Sequence, residues 1–269
     1  MMRVAFTTYS TPGWSLAEAA QVADSMGFDA LEIRAGRTGG ITADSAPEQC
    51  AQVRALCADR GVAICAVGTG CHFVVEEAER RSQVQEAARF LEVARALGAP
   101  VIRVFGGAFG PEVGEDEAVD RVARSLGELA GPAEATGVRV ALETHDGFSA
   151  GARVARVLQR VPGPWIGACW DWLHPFRVGE SAAQTAALLR GRVVHVHSKD
   201  ARKGPQGHWE AEHFGRGILP VGDLYRQLVG QGYGGALSFE WERGGDPEPA
   251  EALRQYVRGM RALLGAPGL

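Results

Sequence analysis

Val193-Val194-His195-Val196-His197-Ser198-Lys199-Asp200 alternates valine with histidine and then turns polar. Such a run reads as a β-strand of period two. Val194 and Val196 then face covering helices, while His195, His197 and Lys199 point the other way. Working outward, similar runs lie at 166–171, 139–143, 101–105, 63–67, 30–33 and 4–7 on one side and at 236–240 on the other. Amphipathic stretches separate them, at 15–26, 47–60, 76–97, 116–136, 151–161, 181–189 and 223–231, with a last helix over 249–264. Gly27, Gly61, Gly98, Gly137, Gly191 and Gly232 mark helix-to-strand turns, where a left-handed cap favours glycine. Eight strand–helix units in alternation give a parallel sheet, and eight close a barrel. The expected fold is therefore an α/β (β/α)8 TIM barrel, with residues 1–269 forming a single domain. An open doubly wound sheet is the competing fold. It would place a glycine-rich phosphate loop after the first strand, and Thr7-Thr8-Tyr9-Ser10 is not one.

Composition narrows the class further. A hydrophobic share of 46% can fill a core in a chain of 269 residues. A net charge of −4 supplies no positive field to recruit nucleic acid or an anionic membrane. No run approaches the roughly 20 apolar residues of a membrane span. Met1-Met2-Arg3-Val4-Ala5-Phe6 lacks the features of a secretory leader, so a cytoplasmic location is the expectation. The five cysteines (50, 57, 65, 71 and 169) form no C-x-x-C pair, which suits reduced thiols; Cys50, Cys57 and Cys65 read as structural filler.

The chemistry concentrates at strand ends. The alternation that turns His197 inward also turns Glu143, Asp171 and Glu240 inward, with Cys169 one layer below Asp171. These four side chains end four consecutive strands, so in a closed barrel they converge on the face where barrel active sites are built. Three converging carboxylates repel one another unless one is protonated or a cation sits among them. Three carboxylates with one imidazole suit Mn2+, Mg2+, Fe2+ or Co2+, with Zn2+ as a further candidate. A hydroxyketone chelating such an ion loses an α-proton more easily, because the cation stabilises the enediolate. A carboxylate on one face can remove that proton and a second on the other face can return it.

Four stretches carry a resemblance: Ala141-Leu142-Glu143-Thr144-His145, Trp170-Asp171-x-x-His174-Pro175, His195-Val196-His197-Ser198-Lys199-Asp200 and the run from Gly232 to Glu240. The chain resembles the xylose isomerase-like sugar phosphate isomerase/epimerase barrels, a group that includes ketose 3-epimerases and inosose dehydratases. The resemblance implies one divalent metal, usually manganese, held at Glu143, Asp171, His197 and Glu240. It further implies that Glu143 and Glu240 serve as the acid/base pair, that His174 contacts a substrate oxygen and that the substrate is a small sugar or cyclitol. It allows a homo-oligomer. A dehydratase of the inosose or 3-dehydroshikimate type would use the same enolate and remains open.

Further residues are candidates for substrate contact. His145 follows strand five, His72 follows strand three, and Lys199 continues the inward alternation from His197. Both lysines of the chain, Lys199 and Lys203, fall just after the metal histidine. His195, one layer lower, reads as a satisfied core histidine. Glu32, Arg34 and Arg103 also point inward, where charges need partners; a Glu32–Arg103 ion pair, or a rim network including it, is expected. The stretch 200–219 is long for a βα connection and reads as a lid. Trp14 and Phe73 are candidate apolar walls. A related three-zinc DNA-repair endonuclease would need an Asp-x-His pair where this chain has Trp209-Glu210-Ala211-Glu212-His213-Phe214-Gly215. A metal-binding protein without turnover is the other competing reading.

Overall fold

The structure, a computed structural model, describes residues 2–36, 40–242 and 249–265. Strands β1 (Arg3–Thr7), β2 (Ala30–Arg34), β3 (Ala63–His72), β4 (Val101–Phe105), β5 (Arg139–Glu143), β6 (Ile166–Asp171), β7 (Val193–Ser198) and β10 (Ala236–Phe239) close a parallel barrel. Around the ring the order is β1, β10, β7, β6, β5, β4, β3, β2. Outside it run α1 (Leu16–Met26), α2 (Pro47–Ala58), α3 (Glu77–Leu97), α4 (Glu115–Thr136), α5 (Gly151–Arg160), α6 (Leu173–Arg177), α7 (Ala182–Leu188), α8 (Val221–Gly230) and α9 (Pro249–Gly265). The remaining two strands, β8 (Asp200–Lys203) and β9 (Trp209–Glu212), pair antiparallel as a hairpin above the barrel.

Local chemistry explains where the elements start and stop. Ser15 caps α1 through a capping box, its hydroxyl accepting from the Glu18 N–H while the Glu18 carboxylate accepts from Ser15 N. The helix ends on Gly27 at φ 80, a left-handed value that glycine adopts without strain. Outward strand residues such as Leu31, Ile33, Leu142, Trp170 and Phe239 join the helices in one large core. The barrel interior is filled by small side chains instead. Ala5, Ala30, Cys65 and Ala236 form one cluster there, and Ala66, Val101, Ala141 and Cys169 another. That leaves room above for buried charges.

One expectation needs correcting. Val194, read as facing the helices, packs against the interior cluster with Ala141 and Cys169. Pairing of β6 with β7 jumps from Ala168↔Val193 to Cys169↔His195, so Val194 is the extra residue of a bulge and the alternation breaks there. The long stretch 200–219 is built around the β8–β9 hairpin. The buried Asp200 carboxylate accepts from the backbone N–H groups of Ala201, Gly215, Gly217 and Leu219 and clips the return of the chain. Phe73 is fully buried and Trp14 packs partly buried against the same core.

Candidate active site

Four strand ends bring Glu143, Asp171, His197 and Glu240 together. One ligand-capable atom from each lies within 4.8 Å of the others, and all four residues are buried. Glu240 sits one residue past β10, its N–H donating to the Ser198 carbonyl. Asp171 is oriented from two sides. Its N–H donates to Thr144 Oγ1 at 2.9 Å, and its Oδ1 accepts from the Leu173 and His174 N–H groups, leaving Oδ2 facing the site.

His197 is held through both ring nitrogens. Nδ1 lies 2.7 Å from Glu143 Oε1 and 3.5 Å from Glu240 Oε2, while Nε2 lies 3.1 Å from Glu32. Glu32 also meets His195 Nε2 at 2.9 Å, so His195 is a satisfied interior histidine. Burial pushes the Glu32 carboxyl up, but His197 and His195 beside it hold it well below the usual range.

The expected Glu32–Arg103 ion pair does not form. Arg103 instead places Nε 3.3 Å from Glu143 Oε2 and donates from Nη1 to the Thr69 carbonyl at 2.8 Å. Both side chains lie over Gly68, where a Cβ would come within 3.0 Å of Glu32 Oε1 and 3.1 Å of Arg103 Nη2. Alternation turns both charges inward, but stagger around the ring chooses their partners. Glu32 and Arg103 are thereby joined indirectly, through His197 and Glu143.

Lys199 is buried, its Nζ 2.8 Å from Asp171 Oδ2, 2.6 Å from Glu240 Oε2 and 3.2 Å from Glu242 Oε1. Burial works against the ammonium, yet Asp171, Glu240 and Glu242 hold its pKa well above the ordinary lysine range. Burial likewise raises Glu240, but Lys199 and His197 hold it well below the usual carboxylate range. Lys203, by contrast, is exposed and lies over the Trp209 ring.

His174 is buried with neither ring nitrogen hydrogen-bonded. Burial, then Lys199 and His145, hold its pKa well below the usual histidine value. The His145 ring meets it edge-on, centroids 4.3 Å apart, and packs on Phe105. The next residue, Asp146, has φ 45, a left-handed strain of the kind that collects at functional sites. His72 is half-buried, its Nδ1 3.1 Å from the Gly70 carbonyl. It is absent from the lining of the cavity that holds the glutamates.

That cavity, about 250 Å³, is lined by Tyr9, Arg34, residues 68–70, Arg103, Phe105, Glu143, His145, Glu240 and Glu242. Arg34 lies at its exposed edge, stacked 4.3 Å over the Tyr9 ring. Tyr9 and Glu242 escaped the sequence reading. For Glu242 a signal existed, since inward alternation through 236, 238 and 240 continues to 242.

The residues present fit a divalent cation. They offer three carboxylates and one imidazole nitrogen, converging and buried, and Glu143 Oε2 and Asp171 Oδ2 lack any hydrogen bond of good geometry. Asp171 Oδ2 and Glu240 Oε2 also face the Lys199 ammonium, so a bound cation would share these two carboxylates with Lys199.

Comparison with known proteins fits this geometry. The family model described as xylose isomerase-like TIM barrel matches residues 20–263. The chain belongs to that family. Fructoselysine 3-epimerase of Escherichia coli O157:H7 is 23% identical over 253 residues, covering 90% of this chain and 91% of that protein. Among solved structures, the IolI protein with a bound zinc atom superposes with a TM-score of 0.82 at 18% identity, covering 98% of each chain. D-psicose 3-epimerase in the presence of D-fructose gives 0.80 at 16% identity, over 98% of this chain and all of that one. Among the described residues no helix is long and apolar enough to cross a membrane.

Proposed function

We propose that this protein is a divalent-metal-dependent epimerase or isomerase of a sugar or sugar phosphate, with Glu143 and Glu240 as its acid/base pair. The observation that carries the reading is that both glutamates line one cavity while also converging with Asp171 and His197. In this reading Glu143, Asp171, His197 and Glu240 hold the ion, manganese being the family's usual choice. A divalent cation bound there supplies Lewis acidity to a substrate carbonyl and so acidifies the neighbouring C–H.

The chain's own groups supply the rest. Glu240, held ionised by Lys199, is placed to take the proton. For inversion the second carboxylate must enter the step protonated. In this reading Glu143 takes up that proton once substrate is bound; in the free site burial and Glu240 push its carboxyl up, but His197 and Arg103 beside it hold it below the usual range. His174, neutral and with both ring nitrogens free of protein partners, is suited to a substrate hydroxyl or carbonyl oxygen. His145 packs beside it and, of the two histidines, is the one that lines the cavity of the glutamates.

The test is a screen of ketoses, inososes and 3-dehydroshikimate with manganese-loaded protein in deuterated water. Deuterium entering one carbon next to the carbonyl, with epimerised or isomerised product, is the expected result. Loss of water from an inosose or from 3-dehydroshikimate would make the protein a dehydratase instead. Absence of exchange across the whole panel would contradict enzymatic turnover of this kind.

A further inference from the structure

The cavity holding both glutamates is small. Pockets for drug-sized ligands span about 300–1,000 Å³, and this one, at about 250 Å³, has room for little more than one sugar. Yet Glu240 and Glu242 also line a second cavity of about 460 Å³. This one extends away from the β2–β5 side, bounded by Leu173 and Arg177 of α6 and by Trp209 and Ala211 of β9. Lys199, Asp200 and Glu210 complete its lining, and a monosaccharide held in the smaller cavity would leave this space open.

The second cavity is built like a binding subsite. Leu173, Trp209 and Ala211 offer apolar surface, and Trp209 is braced edge-on by Phe176, centroids 5.9 Å apart. An indole at a cavity wall suits the face of a ring or an aliphatic stem. Arg177 supplies a polar anchor: its guanidinium donates to Ser149 Oγ at 3.1 Å and meets no carboxylate among the described residues. The β9 wall is fixed in place, because the Asp200 carboxylate clips the chain on both sides of the hairpin. A preformed wall costs little ordering on binding.

We infer that the substrate is a keto-sugar carrying a second, covalently attached moiety, and that this moiety lies in the cavity between α6 and the β8–β9 hairpin. The inference rests on the reading of the Glu143–Glu240 cavity as the reaction site. The sugar then occupies the smaller cavity, and the attached group passes Glu240 and Glu242 to reach Trp209.

Binding tests this separately from turnover. Manganese-loaded protein is titrated calorimetrically with D-fructose and with 1-amino-1-deoxyfructose bearing lysine or benzyl on its nitrogen. At least one substituted sugar is expected to bind ten-fold or more tightly than fructose. Trp209→Ala should cut that preference below about three-fold. Ala211→Leu, which fills the cavity without removing the indole, should do the same. Equal affinity for free and substituted sugars, no binding of either substituted sugar, or a preference undiminished in both variants would overturn the inference. Deuterium exchange on the same compounds reports on the proposed reaction alone: a preference in binding without exchange would leave the subsite standing and remove the reaction.

Discussion

Glu32 Oε1 lies 3.1 Å from His197 Nε2, on the side of the imidazole opposite the Nδ1 that faces Glu143 and Glu240. With the proton on Nε2, the ring presents the lone pair of Nδ1 to the converging carboxylates. A carboxylate behind a ligating histidine fixes its tautomer and raises its basicity. Glu32→Gln should therefore weaken manganese binding by about 10–100-fold. Competition against a chelator measures this, and circular dichroism checks that the barrel is intact. Unchanged affinity in a folded variant would remove the role from Glu32.

Glu143→Gln keeps an oxygen near the site but removes the base and its charge. Turnover should fall by about 10²–10⁴-fold, with part of the metal affinity retained. Steady-state rates on the substrate found in the exchange screen, beside metal content, check both halves. A variant within a few-fold of wild type would rule out the carboxylate pair.

Much of this was legible in the sequence. Strict strand–helix alternation gave the barrel, and period two placed Glu143, Asp171, His197 and Glu240 at neighbouring strand ends facing inward. What failed depended on register. Glu32 was correctly turned inward but paired with Arg103, because alternation sets a side chain's direction and ring stagger sets its neighbour. Val194 was placed on the wrong face because a bulge adds one residue. The hairpin was hidden by its glycines and mixed charges, and only the buried Asp200 makes its shape plain.

Asp200→Ala would leave the backbone N–H groups of Ala201, Gly215, Gly217 and Leu219 without their acceptor. Losing such charge-assisted bonds should cost about 1–3 kcal/mol and expose 204–208 to proteolysis. Asp200→Asn, which keeps one acceptor oxygen, should recover part of this. Chemical denaturation with limited proteolysis decides, and a variant as stable and as resistant as wild type would refute the clip.

His174 should remain neutral well into acid. Burial and the nearby Lys199 and His145 depress its folded-state pKa, so below its ordinary value of 6.5 the unfolded chain takes a proton that the fold refuses. Its contribution to stability is then lost as pH falls below that value. Nitrogen-15 shifts of the ring between pH 7 and 5 should stay those of a neutral imidazole. A midpoint near 6.5 would contradict this.

Metal content tests the central claim most directly. Wild-type protein dialysed against manganese should carry about one ion per chain, held by four side chains of the mixed donor set that suits such ions. Asp171→Ala, which removes one of those donors while leaving β6 in the barrel, should lose most of it under the same dialysis. Full occupancy in the folded Asp171→Ala protein, or no bound ion in the wild type, would contradict a metal centre at Glu143, Asp171, His197 and Glu240.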